Sequence, residues 1–289
     1  MSRVFPLLLA GAALVALPVT DSQSLLHTER FSPGDLEIGG QIDGAPPGST
    51  RYIRYEDLLR LPQETYTVSD DVNLPAKTEI TGVALETLTH LLAPTSSDSM
   101  VIAICDDEYR ANYPQSYLAA HHPLLVLRIN GKPHNQWPPL KESGNSGPYL
   151  ISHPFFKPAF KVLSHEDEAQ IPFGVVRIEF HRESQIYPAI QPPGNWPANS
   201  PVEQGYAIAR QDCFRCHNMG AEGGTKAAHS WLQLAKRAEH DPERFRQIIR
   251  NPTSVNPKAT MVAHPTYDDA TLDALTAYFK TFAPAGRNR

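Results

Sequence analysis

Cys213-Phe214-Arg215-Cys216-His217 sets two thiols three positions apart and an imidazole directly after the second. Three chemistries use cysteines at this spacing: a redox dithiol, half of a zinc site, or thioether attachment of a haem. In the last, the thiols take up the two vinyl groups and the adjacent histidine ligates iron from one side. A redox dithiol wants a βαβ setting, whereas the segments flanking 213–217 read as helices. A four-ligand zinc site wants a second pair of cysteines or histidines, and the chain's remaining cysteine is the distant Cys105. The residues therefore predict one covalent haem c, attached through Cys213 and Cys216, with His217 as an axial ligand of the iron.

A second axial ligand has to come from farther along the chain. Met261 follows His217 by 44 residues, in an irregular stretch rich in Pro and Asn between two predicted helices. A thioether there raises the iron potential and closes the sixth position, so that the iron exchanges electrons without binding small molecules. The sequence has 4 methionines: Met1 initiates, Met100 lies in the other half, and Met219 is too close to His217 to reach the opposite face. His264 is the rival to Met261, with His229 and His240 behind it.

These ligands need helices to hold them. Val202 to Gln211 reads as a first helix. Asp241 suits an N-cap and Pro242 the first helical position, ahead of an apolar stripe of Phe245, Ile248 and Ile249 that ends before Pro252. Thr266 with Asp269 reads as a capping box before Leu272, Leu275, Phe279 and Phe282, with Pro284 and Gly286 as the stop. Residues 202–289 are thus expected to form a small all-α domain. Upstream, residues 186–201 hold 5 prolines in 16 positions, which predicts a stiff linker packed by Tyr187 and Trp196. Charge divides at the same place: residues 202–289 sum to +3 and residues 1–201 to -8.

Residues 23–185 read as an α+β domain with mixed or antiparallel strands. Ser99 to Ile104 and Leu124 to Ile129 are apolar and β-rich, and the second runs into Asn130-Gly131, a strong hairpin signal. Phe173 to Phe180 alternates, which would put Val175, Arg177 and Glu179 on one face. Helical pieces are expected over Tyr55 to Leu61 and Ala84 to Leu92. His121-His122, read as extended, would point to opposite faces and chelate poorly. Glu166, Asp167 and Glu168 read as a solvated loop, and Cys105 as a buried, inert thiol at a strand end.

Before all of this, Arg3 is followed by an apolar run from Val4 to Val19 and a polar stretch from Asp21. That layout predicts a secretory signal over 1–22, hence a periplasmic or secreted protein; contact with a membrane is expected only if the segment stays uncleaved. With 41% hydrophobic and 20% charged residues the chain is not disordered, and a net charge of -5 supplies no field for nucleic acid.

Several pieces carry family resemblances. Gly205-Tyr206 ahead of the Cys213–His217 motif, Asn251-Pro252 before the ligand loop and Ala277-Tyr278-Phe279 near the end resemble the monohaem class I cytochrome c family across residues 202–283. The resemblance implies that the first and last helices cross at Gly205. That family usually has Pro directly after the ligand Met, whereas this chain reads Met261-Val262-Ala263-His264-Pro265. Residues 34–182 resemble the sulfite-oxidase-type molybdopterin-binding fold. The matching pieces are Tyr55-x-x-Leu58-Leu59-x-Leu61-Pro62, Thr81-Gly82-Val83-x-Leu85-x-x-Leu88, Asp106-Asp107-x-Tyr109, the run Leu124 to Pro133, and Gly147-Pro148-Tyr149-Leu150-Ile151. Enzymes of that family hold molybdenum through a cysteine upstream of the Gly-Val segment. This chain has none there, so no molybdenum is expected.

The expectation is an exported c-type cytochrome that passes single electrons between redox protein partners, with an N-terminal docking or ligand-sensing domain. One alternative is a molybdopterin-dependent oxidoreductase feeding the attached haem. Another makes the N-terminal domain an interaction module for a separate periplasmic dehydrogenase. No nucleophile–base pair stands out, so a carrier is expected rather than an enzyme with its own substrate.

Overall fold

The structure is a computed structural model that describes residues 25–137, 147–154, 156 and 168–283. The expected signal segment 1–22, Glu166, Asp167, Pro284 and Gly286 lie outside the described residues. Among those described, no helix is long and apolar enough to cross a membrane.

The N-terminal half is one mixed sheet with short helices. Its strands are β1 (Leu36–Gly40), β2 (Arg51–Ile53), β3 (Glu64–Val68), β4 (Thr78–Ala84), β5 (Ser99–Cys105), β6 (Arg110–Pro114), β7 (Leu124–Ile129), β8 (Lys132–Pro133), β9 (Tyr149–Ser152) and β10 (Phe173–Arg182). They run in the order β2-β1-β10-β9-β7-β4-β3, with β5 on β10, β6 on β5 and β8 on β7. The long β10 is the spine, parallel to β1 and antiparallel to β5 and β9.

β5 decides how the two halves meet. All seven of its residues, SMVIAIC, are buried. A strand with one wet face alternates, while a continuous apolar run has cover on both faces. Val101, Ala103 and Cys105 enter the sheet's own core with Leu36, Ile38, Leu125 and Ile178. Met100, Ile102 and Ile104 join a second core, whose other members are mostly from the helical half.

Several local expectations are corrected. A bulge between Val175 and Arg177 shifts the register of β10. Val175, Ile178 and Phe180 therefore face the core together, while Arg177 pairs with Glu37 at 2.8 Å on the other side. The helix expected over Tyr55–Leu61 is a single turn, Tyr55–Leu58, continued by tight turns towards Pro62, which disfavours helix at Leu61. His121 and His122 are not extended: His121 ends a helix, Gln115–His121, and His122 is its left-handed cap with φ 46. Glu168 is not solvated but 5% exposed. The Asn130-Gly131 hairpin forms as predicted, with φ 50 and 73 at its two residues.

The proline-rich segment is a packed connector. Glu183–Ile186 and Tyr187–Ile190 form successive helical and 3-10 turns, and Ile186, Tyr187 and Ile190 are buried in the second core. Trp196 packs less than expected, at 42% exposed, with its indole bonded to the Pro193 carbonyl nearby.

Downstream come four main helices: α1 (Pro201–Gln211), α2 (Trp231–His240), α3 (Pro242–Arg250) and α4 (Asp269–Lys280). Ser200 caps α1 and Asp241 caps α3 through backbone N–H groups of Glu203 and Arg244. The cap of α4 is Asp268, which accepts from the Thr271 N–H, rather than Thr266. α1 and α4 cross at Gly205, where an added Cβ would lie 2.1 Å from the Ala274 carbonyl oxygen.

Candidate metal centre

The attachment motif begins directly after α1. Cys213–Arg215 is a single 3-10 turn, closed by the N–H groups of Cys216 and His217 donating to the Cys213 carbonyl at 3.2 and 3.0 Å. This curl brings both cysteines and the histidine to one bend. The thiols are free and half-buried. Burial pushes the Cys213 thiol well up and the Cys216 thiol up to about 11, so both start as neutral thiols.

Gly223 and Gly224 back the turn. A Cβ on Gly224 would stand 1.8 Å from the Arg215 carbonyl oxygen, and one on Gly223 would stand 2.5 Å from the Phe214 ring. The Gly224 N–H donates to the Phe214 carbonyl at 3.0 Å. Side chains at these two positions would displace the bend.

The His217 ring is held in one tautomer. Its Nδ1 lies 2.6 Å from the His229 carbonyl, which can only accept, so Nδ1 carries the proton and Nε2 keeps the lone pair. Burial lowers the imidazole's pKa, which holds the ring neutral as a metal ligand must be.

The two candidates for the other axial position differ in their surroundings. Met261 is half-buried against the second core, the cluster that Cys213 also borders. His264 is buried, and its Nε2 lies 3.4 Å from an Asp212 carboxylate oxygen. Its ring stacks on Tyr267 at 4.8 Å, and the Tyr267 hydroxyl donates to the same carboxylate at 3.2 Å. Asp212 directly precedes Cys213, so His264 and Tyr267 pin the end of the Met261 loop to the start of the attachment turn. His229 contributes its carbonyl, and the side chains of His229 and His240 are exposed. Met219 closes a small bridge with Glu222 just after the motif.

Two free thiols and one imidazole with a fixed tautomer on one bend, with a half-buried thioether bordering the same core, fit a covalent haem. Among the described residues of either half, no group of three or more His, Cys, Asp or Glu could by itself hold a metal ion. Cys105 is 3% exposed and burial drives its thiol well up. Sequence reasoning did not find the His229 carbonyl, Asp212 or the burial of Arg215, since each depends on tertiary placement.

Residues 200–279 match the family model described as cytochrome c oxidase, cbb3-type, subunit III. No curated protein matches the chain. Among solved structures, the crystal structure of the sulfane dehydrogenase SoxCD from Paracoccus pantotrophus is similar at 16% identity and a TM-score of 0.34, covering 53% of this chain. The likeness spans 40% of that chain's length. The helical half is a cytochrome c domain, preceded by a sheet-rich α+β domain, and the cytochrome domain is an electron-transfer haem module.

Proposed function

We propose that the chain is an exported electron carrier with one haem c, bound through Cys213 and Cys216 and ligated by His217 and Met261. One observation carries the reading most: the His229 carbonyl fixes His217 with Nε2 free, directly after two unpaired thiols on one bend. When bound, the haem supplies an iron that alternates between ferric and ferrous states. Cys213 and Cys216 would tether it and His217 would present Nε2, beside a core whose buried rings include Phe214, Trp231 and Phe279. Met261 is favoured over His264 because its half-buried side chain borders the same core as Cys213, whereas the His264 ring lies against Asp212 and Tyr267.

The N-terminal domain, in this reading, works without molybdenum. Cys105 sits inside the sheet's core as a neutral thiol, whereas metal binding takes an accessible thiolate. The electron donor and acceptor are redox proteins outside the cytoplasm.

Haem-stained denaturing gels and elemental analysis test the proposal. Wild-type protein should keep its haem through denaturation and hold about one iron and no molybdenum per chain. Cys213→Ala and Cys216→Ala should each lose normal covalent loading. A wild-type band without haem, from cells with working maturation, overturns the carrier. Stoichiometric molybdenum overturns the assignment of the first domain and makes Cys105 the residue to mutate.

A further inference from the structure

The sheet domain packs directly on the haem-attachment turn. β6 lies against Cys213–Arg215, and the preceding β5–β6 turn reaches the segment that backs it. The Thr225 N–H donates to the Glu108 carbonyl at 3.2 Å, Lys226 pairs with Asp107 at 2.5 Å, and Arg110 reaches the Ala221 carbonyl at 3.5 Å. On the other flank the Gln170 side-chain amide donates to the Gln211 carbonyl, and the Gln211 side-chain amide donates to the Glu168 carbonyl.

Beneath this cover lies Arg215, the residue immediately before Cys216. Arginine is almost always exposed, yet Arg215 is 7% exposed. Its Nε donates to the Gln211 carbonyl at 2.8 Å and its guanidinium stands 3.8 Å from Asp212. The Asp212 carboxylate is shared with His264 and Tyr267, so it does not serve Arg215 alone.

We infer that the sheet domain is a fixed cover of the attachment turn, and that Arg215, sealed beneath it, is a positioning residue that raises the reduction potential of the haem. This rests on the reading of residues 213–217 as a haem-attachment turn. Reduction adds one electron to the haem and leaves every covalent bond in place, so a neighbouring cation stabilises the reduced form relative to the oxidised one. In water the high dielectric weakens such a charge, and salt screens it further over about 8–10 Å. Inside a protein it acts through a lower dielectric and is screened much less by salt. Arg215 is next in the chain to a thioether cysteine, and the cover removes the water that would otherwise weaken its field.

Redox titration of the full-length holoprotein tests the inference. Arg215→Met keeps most of the aliphatic stem and removes the charge. It should shift the midpoint potential downward while the haem stain and visible spectrum stay those of the wild type. Arg215→Lys should retain most of the wild-type potential, and Arg244→Met, at an exposed position of α3, should leave it unchanged. An unmoved potential in Arg215→Met, or an equal drop in Arg215→Lys, overturns the inference. Should Arg215→Met fail to fold, phenylglyoxal labelling of wild-type holoprotein decides: Arg215 should react far more slowly than Arg244, and equal rates overturn the cover. Wild-type protein without haem is a separate result, and defeats the carrier reading instead.

Discussion

At the scale of single residues, the choice of sixth ligand is the most exposed inference. If the Met261 sulfur ligates iron, the oxidised protein should show the weak long-wavelength charge-transfer band of a Met-ligated haem. Met261→Ala should abolish the band, lower the potential and open the iron to carbon monoxide, because a soft thioether favours the ferrous state. His264→Ala should leave the band in place, because the band belongs to the Met sulfur and the iron. If His264→Ala changes the spectrum and Met261→Ala does not, the haem is bis-histidine. The bend that gathers Cys213, Cys216 and His217 was legible because its residues are contiguous. The His229 carbonyl and the Asp212–His264–Tyr267 clip were not. They bring together residues 12 to 55 positions apart, and nothing local marks them.

At the scale of elements, helix ends carried the clearest local signals. Asp241-Pro242 cap and open α3 where the turn chemistry placed them, and Ser200-Pro201 open α1 by the same chemistry, a signal the expected start at Val202 had not used. α2 had a comparable signal in the Ser230-x-x-Gln233 capping box, which forms reciprocally in the structure and could have located that helix. The bulge in β10 was not legible, because alternation along a strand assumes an unbroken register. The crossing of α1 and α4 gives a prediction at this scale. Gly205→Ala gains about 1 kcal/mol of helix propensity. Its Cβ, however, would stand 2.1 Å from the Ala274 carbonyl oxygen and 2.7 Å from the Tyr278 Cβ, and neither is the flexible end of a side chain. Separating the helices should cost about 1–3 kcal/mol. The clash should therefore win, and denaturant unfolding should show a lower midpoint than for the wild type. A midpoint equal to or above the wild type would show that the helices do not cross this tightly.

At the scale of the whole molecule, the composition shift at 186–201 suggested two halves tied by a stiff linker, yet the halves share a core. Met100, Ile102 and Ile104 of β5 and Ile186, Tyr187 and Ile190 of the connector pack with Val202, Phe214, Leu275 and Phe279 of the helical half. The Tyr278 hydroxyl donates to the Ile190 carbonyl at 2.5 Å, fastening α4 to the connector. The continuous apolar run of β5 was the sequence's sign of this arrangement, since a strand covered on both faces needs a second layer, though nothing in the run says which segment supplies it. Domains joined by a loose tether unfold separately, whereas domains sharing a core lose it together. Thermal unfolding of the holoprotein should therefore give one midpoint, whether followed by far-ultraviolet circular dichroism of the sheet or by haem absorbance. Ile102→Ala, a truncation at 1% exposure in the shared core, should lower both signals together, by about 2–5 kcal/mol. Two separated midpoints in the wild type, or an Ile102→Ala shift confined to one probe, would mean that the cytochrome domain rests on the sheet domain without depending on it.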